Sequence, residues 1–415
     1  MLIPWNDYRR WDAVEMSRLV RDGEVCADDL AETARARMEE LGRLNAVADL
    51  ADRDTGSDTD AGPGPDTTGA LAGVSFAVKE LLAWPGLPWT MGSRLMAANP
   101  APGRSPYAER IAGSGLNVLC STASSEFGLL GSTESALRGP TLNPWREGLS
   151  AGGSSGGSAA LVAARVIPMA HGDDAGGSLR VPAALNGAFG FKPSNRRCAP
   201  AWPDAPGFAT LVVEHCVSRS VRDSAAFLAV TERTGQDAAY PPDGQVRGPD
   251  SARLRISVLT PILLGRDPDK AVIRELDAAA ALCERLGHHV DAAEPPAVDG
   301  QAASDGFFTG AALAMAQMSR AAAQALGRRP GPSELEPFTL ELIEWAASLG
   351  PALARVSWPL GHLSPAAGDD GLPVGIHFAA RPGADRLLLA LAYELEAAAP
   401  WSGRVPGTSW LTGRP

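Results

Sequence analysis

Two stretches rich in glycine and serine decide how this chain is interpreted: residues 152–158, GGSSGGS, and residues 174–180, DAGGSLR. The first runs directly into 159–164, which is small, apolar and uncharged. A flexible linker would not continue into such a segment. We therefore expect a loop that opens a buried helix and presents backbone N–H groups and hydroxyls at the N-terminus of that helix.

The composition indicates a folded protein that acts on a small molecule. With 45% hydrophobic and 20% charged residues among 415, the chain can bury a large core, as one α/β domain or as two smaller ones. The formal net charge is −11, whereas proteins that bind nucleic acids usually carry a basic surface. No nucleic-acid partner is therefore expected.

Cysteine usage and the lack of long apolar segments indicate the cellular compartment in which the protein is expected. The 5 cysteines are widely spaced and form no C-x-x-C pair, so neither a disulfide framework nor a zinc site is expected. No stretch approaches the roughly 18 consecutive apolar residues of a membrane span, and the N-terminus has no apolar run of signal-peptide length. We expect a soluble cytoplasmic protein without a membrane partner.

Strand-like and helix-like segments alternate along the chain, which is typical of an α/β domain. Apolar residues recur at helical spacing over 11–22 and 28–43, so both segments are expected to be helices. The polar run 54–68 is expected to be an exposed loop. The alternating segment 71–79 predicts a strand with Lys79 at its end.

The remaining segments continue this alternation. Further strands are expected at 117–121, 166–170, 254–259, 288–290 and 374–378, and further helices at 155–165, 269–287 and 384–398. We expect one domain over residues 1–415. Its parts are an N-terminal helical layer at 1–53, a catalytic core at 69–230, and at 253–415 a C-terminal part of the same sheet and helices.

Several common catalytic motifs are missing. None of the 6 histidines has the spacing of a metal site, and His171 stands out only because it lies close to the second glycine–serine stretch. The chain has no P-loop, and no dinucleotide-binding glycine motif follows a predicted strand. Neither a metal nor a cofactor is expected.

Residues 152–156 formally match G-x-S-x-G, the nucleophile elbow of α/β-hydrolases, with Ser154 as the nucleophile. That motif needs a buried strand directly before it. The preceding residues 143–151 are polar and rich in turn formers. The sequence therefore disfavours an elbow.

Several motifs follow one another in the order of a known family. They are GVSFAVKE at 73–80, TLNPW at 141–145, GGSSGGS at 152–158, GDDAGGSLR at 172–180, GFKP at 190–193, RSVRD at 219–223 and GLPVG at 371–375. The chain resembles the amidase signature family, most of all the branch that includes 6-aminohexanoate cyclic dimer hydrolase. The resemblance implies an α/β/α sandwich around a mixed, mostly parallel twisted sheet, and a Ser-cisSer-Lys triad.

By match of motif, the resemblance also implies the role of each site residue. Lys79 is the expected base, Ser154 the bridging serine that follows a cis peptide bond, and Ser178 the nucleophile. The expected oxyanion hole consists of the backbone N–H groups of Ala175, Gly176, Gly177 and Ser178. The residues expected to contact the substrate are Glu126, Gly153, Ser155 and Asp174.

A serine hydroxyl becomes a good nucleophile only when a base takes its proton, and a lysine serves as that base only as a neutral amine. We therefore expect a desolvated Lys79, with Ser154 passing the proton from Ser178 and returning it to the leaving amine. The expected reaction is hydrolysis of a small amide through a Ser178 ester. Other functions on this fold stay open: ammonia supply as the A-type subunit of a glutamine-dependent amidotransferase, ester hydrolysis, acyl transfer, and binding without catalysis. A homodimer also stays open.

One departure from the family pattern lies beside the proposed base. Asp173 occupies a position that usually carries serine or threonine. A carboxylate beside Lys79 favours the charged ammonium, which hinders a general base unless the carboxylate points elsewhere.

Another departure concerns the acyl pocket. Between the helix that ends near Leu349 and Gly371, the chain lacks the strand and the proline-containing segment usual in the family. This predicts a shortened C-terminal part, which lacks part of the sheet and one side of the pocket. Trp84, Trp89 and Met91 are expected either to form an aromatic wall around an apolar acyl chain or to pack in the core.

Overall fold

The computed structural model describes residues 2–52, 69–202, 207–260, 268–294, 297–348 and 371–412, together with the backbone of 360–367. The expected loop at 54–68 lies outside the described residues. The helices are α1 (Trp5–Tyr8), α2 (Ala13–Arg21), α3 (Ala27–Glu40), α4 (Pro106–Ala112), α5 (Gly156–Ala163), α6 (Arg180–Asn186), α7 (Val221–Thr231), α8 (Lys270–Arg285), α9 (Gly300–Leu326), α10 (Pro337–Ser348), α11 (Asp385–Ala398) and α12 (Ser409–Thr412). The strands are β1 (Val47–Leu50), β2 (Ser75–Lys79), β3 (Asn117–Thr122), β4 (Glu134–Ser135), β5 (Gly139–Pro140), β6 (Met169–Asp174), β7 (Phe189–Lys192), β8 (Val213–Ser218), β9 (Arg255–Val258), β10 (His289–Ala292), β11 (Leu360–Ala367) and β12 (Pro373–Ala380).

A three-stranded sheet places Lys79 at the end of a buried strand. Its order is β1-β3-β2, with β2 parallel and β1 antiparallel to β3. Every residue of β2 is buried, so Lys79 leaves the strand inside the protein. The N-terminal part is therefore more than a layer of helices, because its strand β1 completes this sheet.

A second sheet of five strands has the order β12-β11-β7-β8-β6, and each neighbouring pair is antiparallel. The α/β class predicted from the sequence is confirmed, but the expectation of mostly parallel pairing is wrong. Strands β6 and β7 point the same way across α6, as in a crossover unit, yet β8 lies between them. A pattern of alternating strands and helices cannot reveal such an inserted strand.

Helix α5 lies in the core and begins at Gly156, within the first glycine–serine stretch. All of its residues are buried, and it packs against β2, β6 and β8. Gly157, in its first turn, approaches other backbone closely: a Cβ there would lie 2.5 Å from the carbonyl oxygen of Ala46 and 2.7 Å from the backbone nitrogen of Ala123. The predicted loop that opens a buried helix is confirmed.

The C-terminal part extends the second sheet and adds two long helices. Strands β9 and β10 pair in parallel, as the predicted β-α-β unit requires, but they form a sheet of their own. Strand β11 lies within the stretch expected to lack a strand and joins β7 to β12, so the predicted loss of sheet at this place is wrong. Helices α9 and α10 pack against each other. In the described ranges, no helix is both long and apolar enough to cross a lipid bilayer.

Candidate active site

Lys79 is completely buried, and its side-chain nitrogen contacts two polar side chains. Lys79 Nζ lies 2.6 Å from Ser154 Oγ and 2.8 Å from Asp173 Oδ1. The three residues come from the end of β2, the loop before α5, and β6. The structure thus brings the side chains of the predicted base and the predicted bridging serine into direct contact, and both residues are shielded from solvent.

The loop of Ser154 is held by Thr133, a residue that the sequence analysis did not single out. The Thr133 hydroxyl donates a hydrogen bond of 2.9 Å to the Gly152 carbonyl and accepts one of 3.0 Å from the first N–H of α5. The Gly153–Ser154 peptide bond is cis, as the resemblance implied. A Cβ on Gly153 would lie 2.6 Å from the backbone C and O atoms of Ser132, so this loop packs directly on neighbouring backbone.

Ser178 lies just before α6, on a loop that Asp174 organises. The Asp174 carboxylate accepts a hydrogen bond of 2.7 Å from the Gly177 N–H and two of 2.8 Å from Arg180 Nε and Nη2. Burial alone raises the pKa of Asp174, but the Arg180 guanidinium and the N–H donor outweigh burial and lower the pKa to about 2. Asp174 is therefore a charged group, and its hydrogen bonds join the loop of Ser178 to the start of α6.

These hydrogen bonds correct two of the predicted contacts. Because the Gly177 N–H donates to Asp174, it is not free to donate to a substrate oxygen. Ala175, Gly176 and Ser178 remain as candidate oxyanion donors. The carboxylate of Asp174 is completely buried, so it shapes the loop and does not face a substrate.

Glu126 also has a different role from the predicted substrate contact. Its buried carboxylate accepts hydrogen bonds from the Ser93 hydroxyl at 2.6 Å, the Glu336 N–H at 2.9 Å and the Thr339 hydroxyl at 2.5 Å. The last two donors belong to the start of α10 and the residue before it. Glu126 therefore anchors α10 to the loop that follows β3.

Of the four predicted substrate contacts, only Gly153 lines the cavity next to Ser178. Ser155 is buried, and its N–H donates a hydrogen bond of 3.3 Å to the Ser178 carbonyl. This bond ties the two glycine–serine loops together. Ser155 therefore helps to hold the loop of Ser178 in place.

His171 and Glu214 form a second buried polar pair beside Lys79. His171 Nδ1 accepts a hydrogen bond of 3.2 Å from the Lys79 backbone N–H, and Nε2 lies 2.8 Å from Glu214 Oε2. Burial lowers the pKa of His171 to about 3 and raises the pKa of Glu214 to about 8. Because Nδ1 is the acceptor, the neutral ring carries its proton on Nε2 and donates it to Glu214. His171 thus positions the end of β2 and is not a base for the reaction.

A cavity of about 200 Å³ opens at Ser178. The residues that line it are 128–131, Gly153, 175–178 and Val181 on the side of the two loops, and Phe208, Phe307, Phe308, Ala311, Phe338 and Leu342 on the other side. Phe307 of α9 lies against the proposed oxyanion loop, since a Cβ on Gly176 would lie 2.9 Å from its ring. Helices α9 and α10 therefore supply much of an apolar, aromatic wall of the cavity that contains Ser178.

This wall replaces the one considered from the sequence. Trp84, Trp89 and Met91 do not line the cavity. Trp84 packs against the main core, and the Trp89 ring packs against Trp202 with centroids 5.7 Å apart. The core alternative is therefore supported for Trp84, whereas Trp89 lies outside both the cavity and the main core.

No group of three or more His, Cys, Asp or Glu side chains in the described part of the chain is arranged to hold a metal ion. Lys79 is instead hydrogen-bonded to Ser154 and Asp173. The chemistry that the described residues offer is proton transfer between a lysine and a serine, next to a second serine and a set of backbone N–H groups.

Comparisons with known proteins fit this geometry. The family model described as Amidase matches residues 31–341. The chain belongs to the amidase family. It is 33% identical to the protein named amidase AmiC of Mycobacterium tuberculosis (strain ATCC 25618 / H37Rv), over 94% of this chain and 95% of that protein. It is 28% identical to the 6-aminohexanoate-cyclic-dimer hydrolase of Paenarthrobacter ureafaciens, over 95% of this chain and 96% of that protein.

Among solved structures, 6-aminohexanoate cyclic dimer hydrolase complexed with substrate matches this amidase with a TM-score of 0.85 at 25% identity, over 96% of this chain and 99% of that chain. The resemblance drawn from the sequence motifs is thus confirmed. The protein is an amidase, an enzyme that hydrolyses carbon–nitrogen bonds of amides.

The alignment with AmiC supports a shortened chain. It spans 454 positions, although 94% of this 415-residue amidase is only about 390 residues. The difference between these two lengths is about 64 positions. At these positions the alignment has a gap in this chain. This amidase is therefore shorter than this relative over the aligned region.

Proposed function

We propose that this amidase cleaves its substrate through a covalent ester on Ser178, with Ser154 and Lys79 carrying the proton. The observation that supports this most directly is the 2.6 Å contact between Lys79 Nζ and Ser154 Oγ at a completely buried lysine. A hydroxyl that touches a lysine amine has a base for its proton. The loop of Ser178 is hydrogen-bonded to the loop of Ser154, which favours a continuous relay.

The reaction then runs in two halves. Ser178 Oγ attacks the carbonyl carbon of the amide while its proton passes through Ser154 to Lys79. The same route returns the proton to the amide nitrogen, the C–N bond breaks and the amine leaves. Water attacks the resulting ester by the same proton route, which releases the carboxylic acid and restores Ser178.

The negative charge on the carbonyl oxygen would be stabilised by backbone N–H groups of the loop before α6. Ala175, Gly176 and Ser178 are the candidate donors, because the N–H of Gly177 is used by Asp174. Loss of one such donor typically lowers the rate by about 10²–10³-fold. The hydrogen bonds of Asp174 keep this loop in place before the substrate arrives, which is the condition for strong stabilisation of the transition state.

Covalent labelling tests this proposal without knowledge of the natural substrate. A fluorophosphonate is expected to add to one residue of the purified amidase, and peptide mapping after proteolysis is expected to place the adduct on Ser178. Ser178→Ala is expected to abolish the adduct, since it removes the nucleophilic oxygen. Mass spectrometry of the intact protein measures both.

Ser132→Ala serves as the matched control, because Ser132 lies beside Gly153 but has no assigned role in the relay. This variant is expected to keep the full adduct. An adduct on Ser154, or an adduct that persists in Ser178→Ala, would contradict the proposed nucleophile.

The cavity favours an amide whose acyl group is small and apolar. Its volume of about 200 Å³ is below the ~300–1,000 Å³ typical of sites for drug-sized ligands. The wall opposite the loops is formed by phenylalanine, leucine and alanine side chains. Burial of an acyl chain there contributes about 0.8 kcal/mol for each CH₂ group.

A comparison of simple amides measures this preference. Hexanamide has four more CH₂ groups than acetamide, so its kcat/KM is expected to be higher on the order of 10²-fold. Phe307→Ala is expected to reduce this ratio, because it removes a ring that covers the cavity. Trp89→Phe, which changes an aromatic residue outside the cavity, is expected to leave the ratio as it is. Equal kcat/KM values for the two amides in the unaltered enzyme would contradict an apolar acyl pocket.

A further inference from the structure

The carboxylate of Asp173 is an unusual neighbour for a lysine that has to act as a base. Asp173 Oδ1 lies 2.8 Å from Lys79 Nζ, and the two side chains are only 9% and 0% exposed. At this depth the attraction between opposite charges is screened much less than at a surface. The protonation of Lys79 is therefore coupled to the charge of Asp173.

Two other carboxyl groups lie near the pair. Glu214 is the cross-strand partner of Asp173 in β8 and contacts the neutral ring of His171; burial raises the pKa of Glu214 to about 8, and the Lys79 charge opposes this. Glu80, which follows Lys79 in the chain, accepts hydrogen bonds from Arg138 Nε and from the backbone after β3. In the part of the chain that the structure describes, Asp173 is the carboxylate that forms an ion pair with Lys79.

A charged lysine at this position has no lone pair with which to accept a proton. As an ammonium it donates to both Ser154 and Asp173, and both contacts are satisfied in that form. To become a base it has to release one proton to solvent, and this leaves a buried carboxylate without its counter-charge. The loss of that attraction opposes the release.

We propose that Asp173 sets the pH range of this amidase by keeping Lys79 charged, so that the Lys79–Ser154 relay becomes active only at more alkaline pH than it would without the carboxylate. This inference rests on the proposed role of Lys79 as the base. Asp173 is then a positioning residue that acts through Lys79 and does not touch the substrate. Burial raises the pKa of Asp173, and the Lys79 charge in direct contact with the carboxylate opposes this shift.

The rate of inactivation by the fluorophosphonate, measured from about pH 6 to about pH 10, tests this inference through the acidic limb of its pH profile. In Asp173→Asn the limb is expected to move to lower pH by about 1–3 units, the usual effect of removing an opposite charge in direct contact. The maximal inactivation rate at high pH is not used as the readout, because the loss of a hydrogen bond alone can change this rate. A displaced limb requires a change in the protonation of the base.

Glu214→Gln is the matched control. It removes a carboxylate from the neighbouring strand at the level of Asp173, but this carboxylate forms its contact with His171. Its limb is expected to move less than that of Asp173→Asn. Where Asp173→Asn does not fold by circular dichroism, Asp173→Ser provides the same test with a smaller side chain.

The outcomes separate this inference from the function on which it rests. A limb in Asp173→Asn that stays in place, moves to higher pH, or moves no further than in Glu214→Gln would overturn the role of Asp173 while Ser178 remains the labelled nucleophile. A wild-type enzyme that hydrolyses amides but takes no label on Ser178 at any pH would overturn the proposed mechanism itself.

Discussion

Lys79→Met is expected to lower kcat/KM by about 10⁴–10⁶-fold, because the loss of one member of a relay that acts as a unit removes nearly all of its effect. The methionine keeps the length and the apolar stem of the side chain but has no amine. Ser154 then has no base for its proton. Steady-state hydrolysis of hexanamide and the rate of fluorophosphonate labelling both measure this loss.

The same variant is expected to be less stable, since it leaves the buried carboxylate of Asp173 without a partner. Breaking a buried pair from one side typically costs about 3–5 kcal/mol in the free energy of unfolding. The pKa of Asp173 is already raised by burial, so in Lys79→Met the loss is expected to shrink as the pH falls and this carboxyl takes up a proton. Urea unfolding at two pH values measures it.

The double variant Lys79→Met with Asp173→Asn is the control for this prediction. It is expected to regain most of the lost stability, because no unpaired charge remains, and to regain none of the activity. A stable single variant would show that the pair contributes little to the fold, whereas an active one would exclude Lys79 as the base.

Gly153→Ala is expected to lower kcat/KM by about 10²-fold or more, because misplacement of a catalytic group by about 1 Å has an effect of this size. A Cβ at this position would lie 2.6 Å from the backbone C and O atoms of Ser132, which are not the flexible ends of a side chain. One of the two loops therefore has to move, and Ser154 moves with it. Rates of hydrolysis and labelling, with circular dichroism as a check on folding, measure the effect.

Gly131→Ala is a closely matched control, because Gly131 lines the same cavity and a Cβ there meets no atom within 4 Å. It is expected to keep activity within a few-fold of the unaltered enzyme. Similar activities for the two alanine variants would indicate that the close approach at Gly153 does not position Ser154.

The sequence was most informative where chemistry and backbone geometry depend on neighbours in the chain. The glycine–serine loop before α5 and the lysine at the end of β2 were predicted from short motifs, and both lie where they were expected. A glycine next to a close backbone approach and a strand that ends in a charged residue leave a local signature.

The parts that sequence reasoning missed depend on contacts between distant segments. Phe307 lies against Gly176 although more than one hundred residues separate them, and the pairing of His171 with Glu214 depends on β8 lying next to β6. No local spacing carries this information, because a phenylalanine in a helix is most often a core residue. The engagement of the Gly177 N–H by Asp174 was missed for another reason, since a motif assigns a residue to a role but does not count its hydrogen bonds.

The cavity joins two halves of the polypeptide that have separate tasks. The groups proposed to transfer the proton and to hold the carbonyl oxygen lie between residues 79 and 178, whereas most of the apolar wall of the cavity comes from α9 and α10. Selection for a new substrate can therefore act on the second half and leave the first unaltered. Exchange of 300–348 between amidases of this kind would then transfer substrate preference as a block, with Glu126 as the junction at which an incoming α10 has to fit.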